Sequence, residues 1–105
     1  MMAYDAIARV PTAQASKYLQ QTCKHWEHNL AVTYTATHGT VVFPRDARGA
    51  DHPGDATVTF DAEPEALVVR IAATSPEQLD GLKGAVARHV DRFAFREAPL
   101  AYDWR

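Results

Sequence analysis

The sequence predicts a single-domain α+β sandwich in which two helices pack on one face of a mainly antiparallel sheet, in the order β-α-β-β-β-β-α. Three observations predict it. Four strand-like stretches follow one another between residues 30 and 73 with tight turns or one loop between them. Two amphipathic helical stretches bracket that run. A length of 105 residues holds one domain of ordinary size and no second, so residues 1–105 are taken as one unit.

Residues 4–10 alternate, with Tyr4, Ala6, Ala8 and Val10 on one side and Asp5, Ile7 and Arg9 on the other, the period of a strand that Pro11 ends. Thr12 is placed to cap a helix. In that helix Ala15, Leu19, Thr22 and Trp26 fall within about 40° of one another, with Tyr18 and Cys23 at the margins and Lys17, Gln20, Gln21 and Lys24 opposite. The helix is expected to stop near His28 and Asn29. Alternation resumes over residues 30–36, where Val32, Tyr34 and Ala36 face one way. Thr37, His38 and Gly39 suggest a turn, and residues 40–43 the returning strand. Residues 44–54, with Pro44, Arg45, Asp46, Arg48, Asp51 and His52, suggest a mobile surface loop.

Residues 56–61 and 67–73 form a further predicted hairpin around Glu63, Pro64 and Glu65. Ser75, Pro76 and Gln78 then mark a helix start, with Ser at the N-cap, Pro at the first turn and Gln completing a capping box. Leu79, Leu82, Val86, Val90 and Phe93 hold one stripe of that helix, while Gly81 and Gly84 lie off it and lower its propensity. After Pro99, the alternation of Leu100, Tyr102 and Trp104 with Ala101, Asp103 and Arg105 predicts a short terminal strand. The same element order occurs in the TATA-binding-protein-like class and in the C-terminal domain of phosphohexomutases, an analogy of shape and not of function.

Composition narrows the function classes. Apolar residues at 47% and charged residues at 23% fit a globular chain and not a disordered tail or a collagen. Eleven Lys and Arg against thirteen Asp and Glu give a formal charge of -2. That balance lacks the basic surplus that phosphate backbones and anionic lipid require, so neither nucleic acid nor membrane is an expected partner. No apolar run is long enough to span a bilayer. Residues 1–10 lack a leader pattern, and the lone Cys23 closes no intramolecular disulfide, so the cytoplasm is the expected location.

Two segments carry a family resemblance. Cys23-Lys24-His25-Trp26-Glu27-His28 on the first helix, and Val90-Asp91-Arg92-Phe93-Ala94-Phe95-Arg96-Glu97 leading to Tyr102-Asp103-Trp104, resemble the bacterial domain of unknown function 2218 family from about Ile7 to Trp104. The family has no established activity. The resemblance implies a small bacterial protein, often encoded beside iron and siderophore uptake functions. A ferric siderophore or another small anionic ligand is the partner it implies. Iron or another transition metal is the cofactor that would accompany it, although no residue pattern requires one. Relative to the family pattern, the loop from Arg45 to Gly54 is longer.

Candidate sites follow from the same residues. His25 and His28 lie about 60° apart on a helix and could share a metal ion if neighbouring elements supply further ligands; equally, they suit a helix end whose dipole favours imidazolium. Cys23 lies about 160° from His25 and, on the flank of the apolar stripe, reads as a buried hydrophobe rather than a nucleophile. Trp26 belongs on the core face and could border a cavity. His89 flanks the stripe of the second helix and could donate to a carbonyl. Arg92, Arg96 and Glu97 either hold an anion or brace the C-terminal segment, and Phe95 and Trp104 add flat apolar surface to the cationic groups. The ligand-binding candidates are therefore His25, Trp26, His89, Arg92, Phe95, Arg96, Glu97 and Trp104. His38 is assigned to its turn and His52 has no assigned role.

The leading expectation is an accessory or ligand-binding domain linked to iron or siderophore handling. One alternative is an enzyme using His25 or His89 as acid-base, with Arg92 or Arg96 orienting an anion. The other is an interaction module that forms a homodimer through its sheet face or a sheet edge.

Overall fold

The computed structural model describes residues 4–105; the first three residues of the stretch read for a leader lie outside the described residues. Between residues 4 and 93, recurrence of apolar side chains every third or fourth position marks the helices, and alternating or continuous apolar runs mark the strands. The elements are β1 (Tyr4–Pro11), α1 (Ala15–Trp26), β2 (Ala31–Tyr34), β3 (His38–Phe43), β4 (Ala56–Ala62), β5 (Ala66–Ala73) and α2 (Pro76–Phe93), with a 3-10 turn at Ala47–Gly49. The strands form one sheet in the order β1-β5-β4-β3-β2, and every adjacent pair is antiparallel. The expected α+β sandwich and its element order are thus present.

Both helices cover one face of the sheet. Ala8 and Val10 of β1, Val41 of β3, Val58 and Phe60 of β4, and Leu67, Val69 and Ile71 of β5 meet Leu19, Cys23 and Trp26 of α1 and Leu82, Val86 and Val90 of α2. Each fully buried Leu, Val or Phe among them contributes about 1.5–3 kcal/mol of transfer free energy. The opposite face is polar, with Asp5, Arg9 and Arg70 exposed and Thr57 and Thr59 half-buried.

Several local expectations are corrected. Thr12 is not the cap of α1: Gln14 precedes the helix without a side-chain cap. The Thr12 hydroxyl instead accepts from the Gln14 N–H at 3.1 Å and donates to the Glu97 carboxylate at 3.0 Å, a charged acceptor stronger than a helix amide's demand. The turn between β2 and β3 falls at residues 35–37, ahead of His38 and Gly39. Thr35 tightens it, its hydroxyl accepting from the N–H groups of Thr37 and His38 at 3.3 and 3.2 Å. Ala36 therefore lies outside β2. Gly39 sits inside β3 for a packing reason: a Cβ there would lie 2.7 Å from Cys23 Sγ.

At the start of α2 the Ser75 hydroxyl accepts from the Gln78 N–H at 3.1 Å, with Pro76 at the first position. The other half of the capping box is absent. Gln78, 5% exposed, accepts from the Thr74 N–H at 2.7 Å and donates to the Gly54 carbonyl at 3.0 Å, tying the helix start to the end of the long loop. That loop closes on itself through Arg45, whose backbone N–H donates to Asp55 at 2.8 Å, whose Nε donates to the His52 carbonyl at 3.0 Å and whose guanidinium pairs with Asp51.

Leu100, Tyr102 and Trp104 are half-buried and their neighbours exposed, as the alternation implies. Pairing is confined to one residue, however: Ile7 and Arg105 exchange backbone hydrogen bonds of 3.0 and 2.8 Å on the outer edge of β1. Asp91 holds the segment in place by accepting from the Leu100 N–H at 3.2 Å and the Tyr102 hydroxyl at 2.9 Å. No helix among the described residues is long and apolar enough to cross a membrane.

Candidate functional site

A cavity of about 650 Å³ lies between the end of α1, the loop after β3 and the first two thirds of α2. Small residues on α2 leave the space. Gly81 lines it, and a Cβ at Gly81 would meet no atom within 4 Å; Ala85 lies one turn further along the same wall. The apolar wall comes from Trp26, Leu30, Phe43 and Leu82. The Trp26 ring meets Phe43 edge-on at 5.2 Å and His89 at 4.9 Å between centroids.

Arg48 and Arg88 bring the fixed positive charges of the polar wall, His25, His52 and His89 stand beside them, and Glu77 is the one carboxylate among the lining residues. Arg88 lies back along its own helix, with Nη1 at 2.9 Å from where a Gly84 Cβ would be, so glycine at 84 makes room for the guanidinium. Arg48 has φ 56 and ψ 33, the left-handed region that costs an ordinary residue roughly 1–2 kcal/mol. Such strain concentrates where a side chain must be aimed.

His25 and His89 face one another across α1 and α2 with ring centroids 5.4 Å apart, and Phe93 lies 6.0 Å from His25. The Nδ1–H of His89 donates to the Ala85 carbonyl at 2.7 Å, which leaves its Nε2 lone pair free. Burial, and then the positive charges of His89, Arg92 and His28, hold the His25 imidazole below the ordinary histidine range.

Of the residues singled out in the sequence, His25, Trp26 and His89 come together in this cavity. Arg92, Phe95, Arg96, Glu97 and Trp104 do not line it. Arg96 lies over the Phe95 ring at 5.8 Å, and Phe95 is 72% exposed. Trp104 stacks on Tyr102 at 6.2 Å. Glu97 accepts from the hydroxyls of Thr12 and Tyr18; with burial, that hydrogen bond pushes the Tyr18 phenol up to about 12. Glu97 therefore braces the segment after α2 against α1.

His28 falls in the turn after α1, outside the cavity wall. No cluster of three or more His, Cys, Asp or Glu suited to a metal ion occurs among the described residues. Cys23 is fully buried, and burial followed by the charge of Glu27 pushes its thiol up to about 12, which keeps it protonated at neutral pH.

The sequence reading passed over Arg48, His52 and Arg88 as site residues. It also missed a line of three on the open sheet face, where His38 Nδ1 lies 2.7 Å from Asp61 and His38 Nε2 lies 3.4 Å from the Thr40 hydroxyl. The line resembles a nucleophilic triad. Yet β3 and β4 are interior strands whose N–H groups pair within the sheet, so they are not aimed as an oxyanion hole. It is a cross-strand hydrogen-bonded pair between opposed residues.

The chain belongs to the bacterial family described as "Uncharacterized protein conserved in bacteria (DUF2218)", which it matches over residues 7–105. It is similar in fold to PA4090 from Pseudomonas aeruginosa, solved by NMR, with a TM-score of 0.73 and 24% identity over 97% of this chain and 95% of that one. No curated protein matches it. Neither the family description nor the solved relative gives support to iron or siderophore handling.

Proposed function

We propose that this DUF2218-family domain binds a small organic anion with a flat apolar body, held in the cavity between α1, α2 and the loop after β3. The observation that carries the reading is the composition of the cavity wall. Trp26, Phe43 and Leu82 offer flat and apolar surface, and Arg48 and Arg88 face it with Glu77 as the one opposing carboxylate, in a chain whose formal charge is -2. The volume of about 650 Å³ falls within the roughly 300–1,000 Å³ of small-molecule sites. A cytoplasmic setting belongs to the same reading.

A ferric catecholate is one member of the proposed ligand class and is tested as such. The assay follows Trp26 emission in a Trp104→Phe background during titration with benzoate, benzenesulfonate, 2,3-dihydroxybenzoate and the ferric complex of the last. Saturable change with the free anions is expected, and Arg88→Gln should weaken it by about tenfold, the equivalent of 1.4 kcal/mol for a lost charge-assisted hydrogen bond. Response to the ferric complex alone would restrict the ligand to iron chelates. No saturable response to any of the four, or equal affinity in Arg88→Gln, refutes the cavity reading.

A further inference from the structure

We infer that the anionic end of the ligand docks between His25 and His89 and draws a proton onto that pair, so that the site takes up ligand and proton together. The inference rests on the ligand-binding reading and deepens it. The two rings come from different helices, lie 5.4 Å apart between centroids and share no hydrogen bond. His89 is held in one tautomer by the Ala85 carbonyl, so the nitrogen it can offer to a ligand is Nε2. His25 has no such partner among the hydrogen bonds of the described residues.

The charges that act on His25 are positive or potentially so: His89 and Arg92 on α2, and His28 beyond the end of α1. Around the rest of the cavity stand Arg48 and His52 from the loop, Arg88 from α2, and the single carboxylate of Glu77 at the start of α2. Partial burial, and then this cationic surround, disfavour protonation of the His25 imidazole. An anion placed against the rings reverses the local field and excludes water, and protonation becomes favourable. Binding and proton uptake are then linked, with the affinity rising as pH falls. Trp26, 4.9 Å from His89, places the flat body of the ligand beside the charged pair.

Benzenesulfonate is the probe, since it stays ionised across the whole range and contributes no proton of its own. Titration calorimetry in two buffers with different ionisation heats should show net proton uptake approaching one per ligand near pH 6, and affinity about tenfold higher at pH 6 than at pH 7.5. His25→Gln should weaken binding at pH 6 and flatten the pH dependence. Equal affinity at both pH values with no proton uptake overturns the inference and leaves the ligand-binding reading standing; no binding at any pH overturns both. A second measurement needs no ligand. In His89→Gln the NMR titration midpoint of His25 should rise towards the ordinary histidine value, and an unchanged midpoint overturns the pairing of the two rings.

Discussion

Gly81 offers the most direct test of the open space along α2. It lies inside α2 on the cavity wall, and a Cβ added there meets no atom within 4 Å. Alanine in a helix interior is favoured over glycine by about 0.8–1.0 kcal/mol, because glycine loses more backbone freedom on folding. With no clash to oppose it, Gly81→Ala should realise nearly all of that. A chain of 105 residues unfolds with an entropy of roughly 0.2 kcal/mol/K, so the melting temperature should rise by about 4–5 °C in a calorimetric scan.

Two companion variants separate stability from binding. Gly81→Leu keeps most of the propensity gain but fills the space, so it should stay as stable as the parent and lose benzenesulfonate. Gly84→Ala gains propensity too, but its Cβ would lie 2.9 Å from Arg88 Nη1. The flexible guanidinium must then swing away, and anion affinity should fall. A lower melting temperature for Gly81→Ala would refute the reasoning, since the loss could come only from atoms crowding a place that the structure leaves open.

Gly39 presents the opposite case. Its added Cβ would lie 2.7 Å from the buried Cys23 Sγ, so Gly39→Ala should cost about 1–3 kcal/mol by urea denaturation. Cys23→Ala in the same chain should recover most of that cost; simple additivity of the two losses would show that the clash lies elsewhere. Alkaline pH supplies the remaining prediction. The Tyr18 phenol titrates at about 12 in the fold against an ordinary 10.0, and the Cys23 thiol at about 12 against 9.0. Both folded-state values are raised, so their contributions are complete below the ordinary values and are lost as pH climbs towards 12. The denaturation midpoint should fall from about pH 9 upward, with a shallower decline in Tyr18→Phe. A flat midpoint up to pH 12 would contradict it.

The elements were legible because burial imposes its own period on the sequence. Leu19 and Trp26, or Leu82, Val86 and Val90, can reach one core only from one helical face, and the structure buries all five. Hydrogen-bond competition was harder to see. Thr12 looks like a cap until Glu97, distant in sequence, arrives as a stronger partner. Gly39 looks like turn punctuation because no local pattern reveals that Cys23 will press against it. At the site, His25, Trp26 and His89 stand out by type and face, whereas Arg48 and Arg88 are ordinary surface charges until the fold brings the loop over α2. One signal was present: Gly81, Ala85 and His89 recur every four residues along α2, two small residues followed by a ring on a single helical row.

The cavity follows from the register of the two helices. Tyr18 near the start of α1 meets Glu97 beyond the end of α2, and His25 near the end of α1 meets His89, so the helices run antiparallel. In that register α1, which ends at Trp26, stops beside His89, and α2 runs on from there back to Pro76, roughly 20 Å at the helical rise. Its N-terminal part therefore has no helix beside it. An uninterrupted apolar stripe there would be left facing water; instead α2 presents Gly81, and the loop carrying Arg48 and His52 lies across the gap. The helix pair thus sets the chemistry at one end of the cavity and the loop closes the other. A change in loop length should alter which anion fits while leaving His25 and His89 in place, because the contact between those two rings is made by the helices alone.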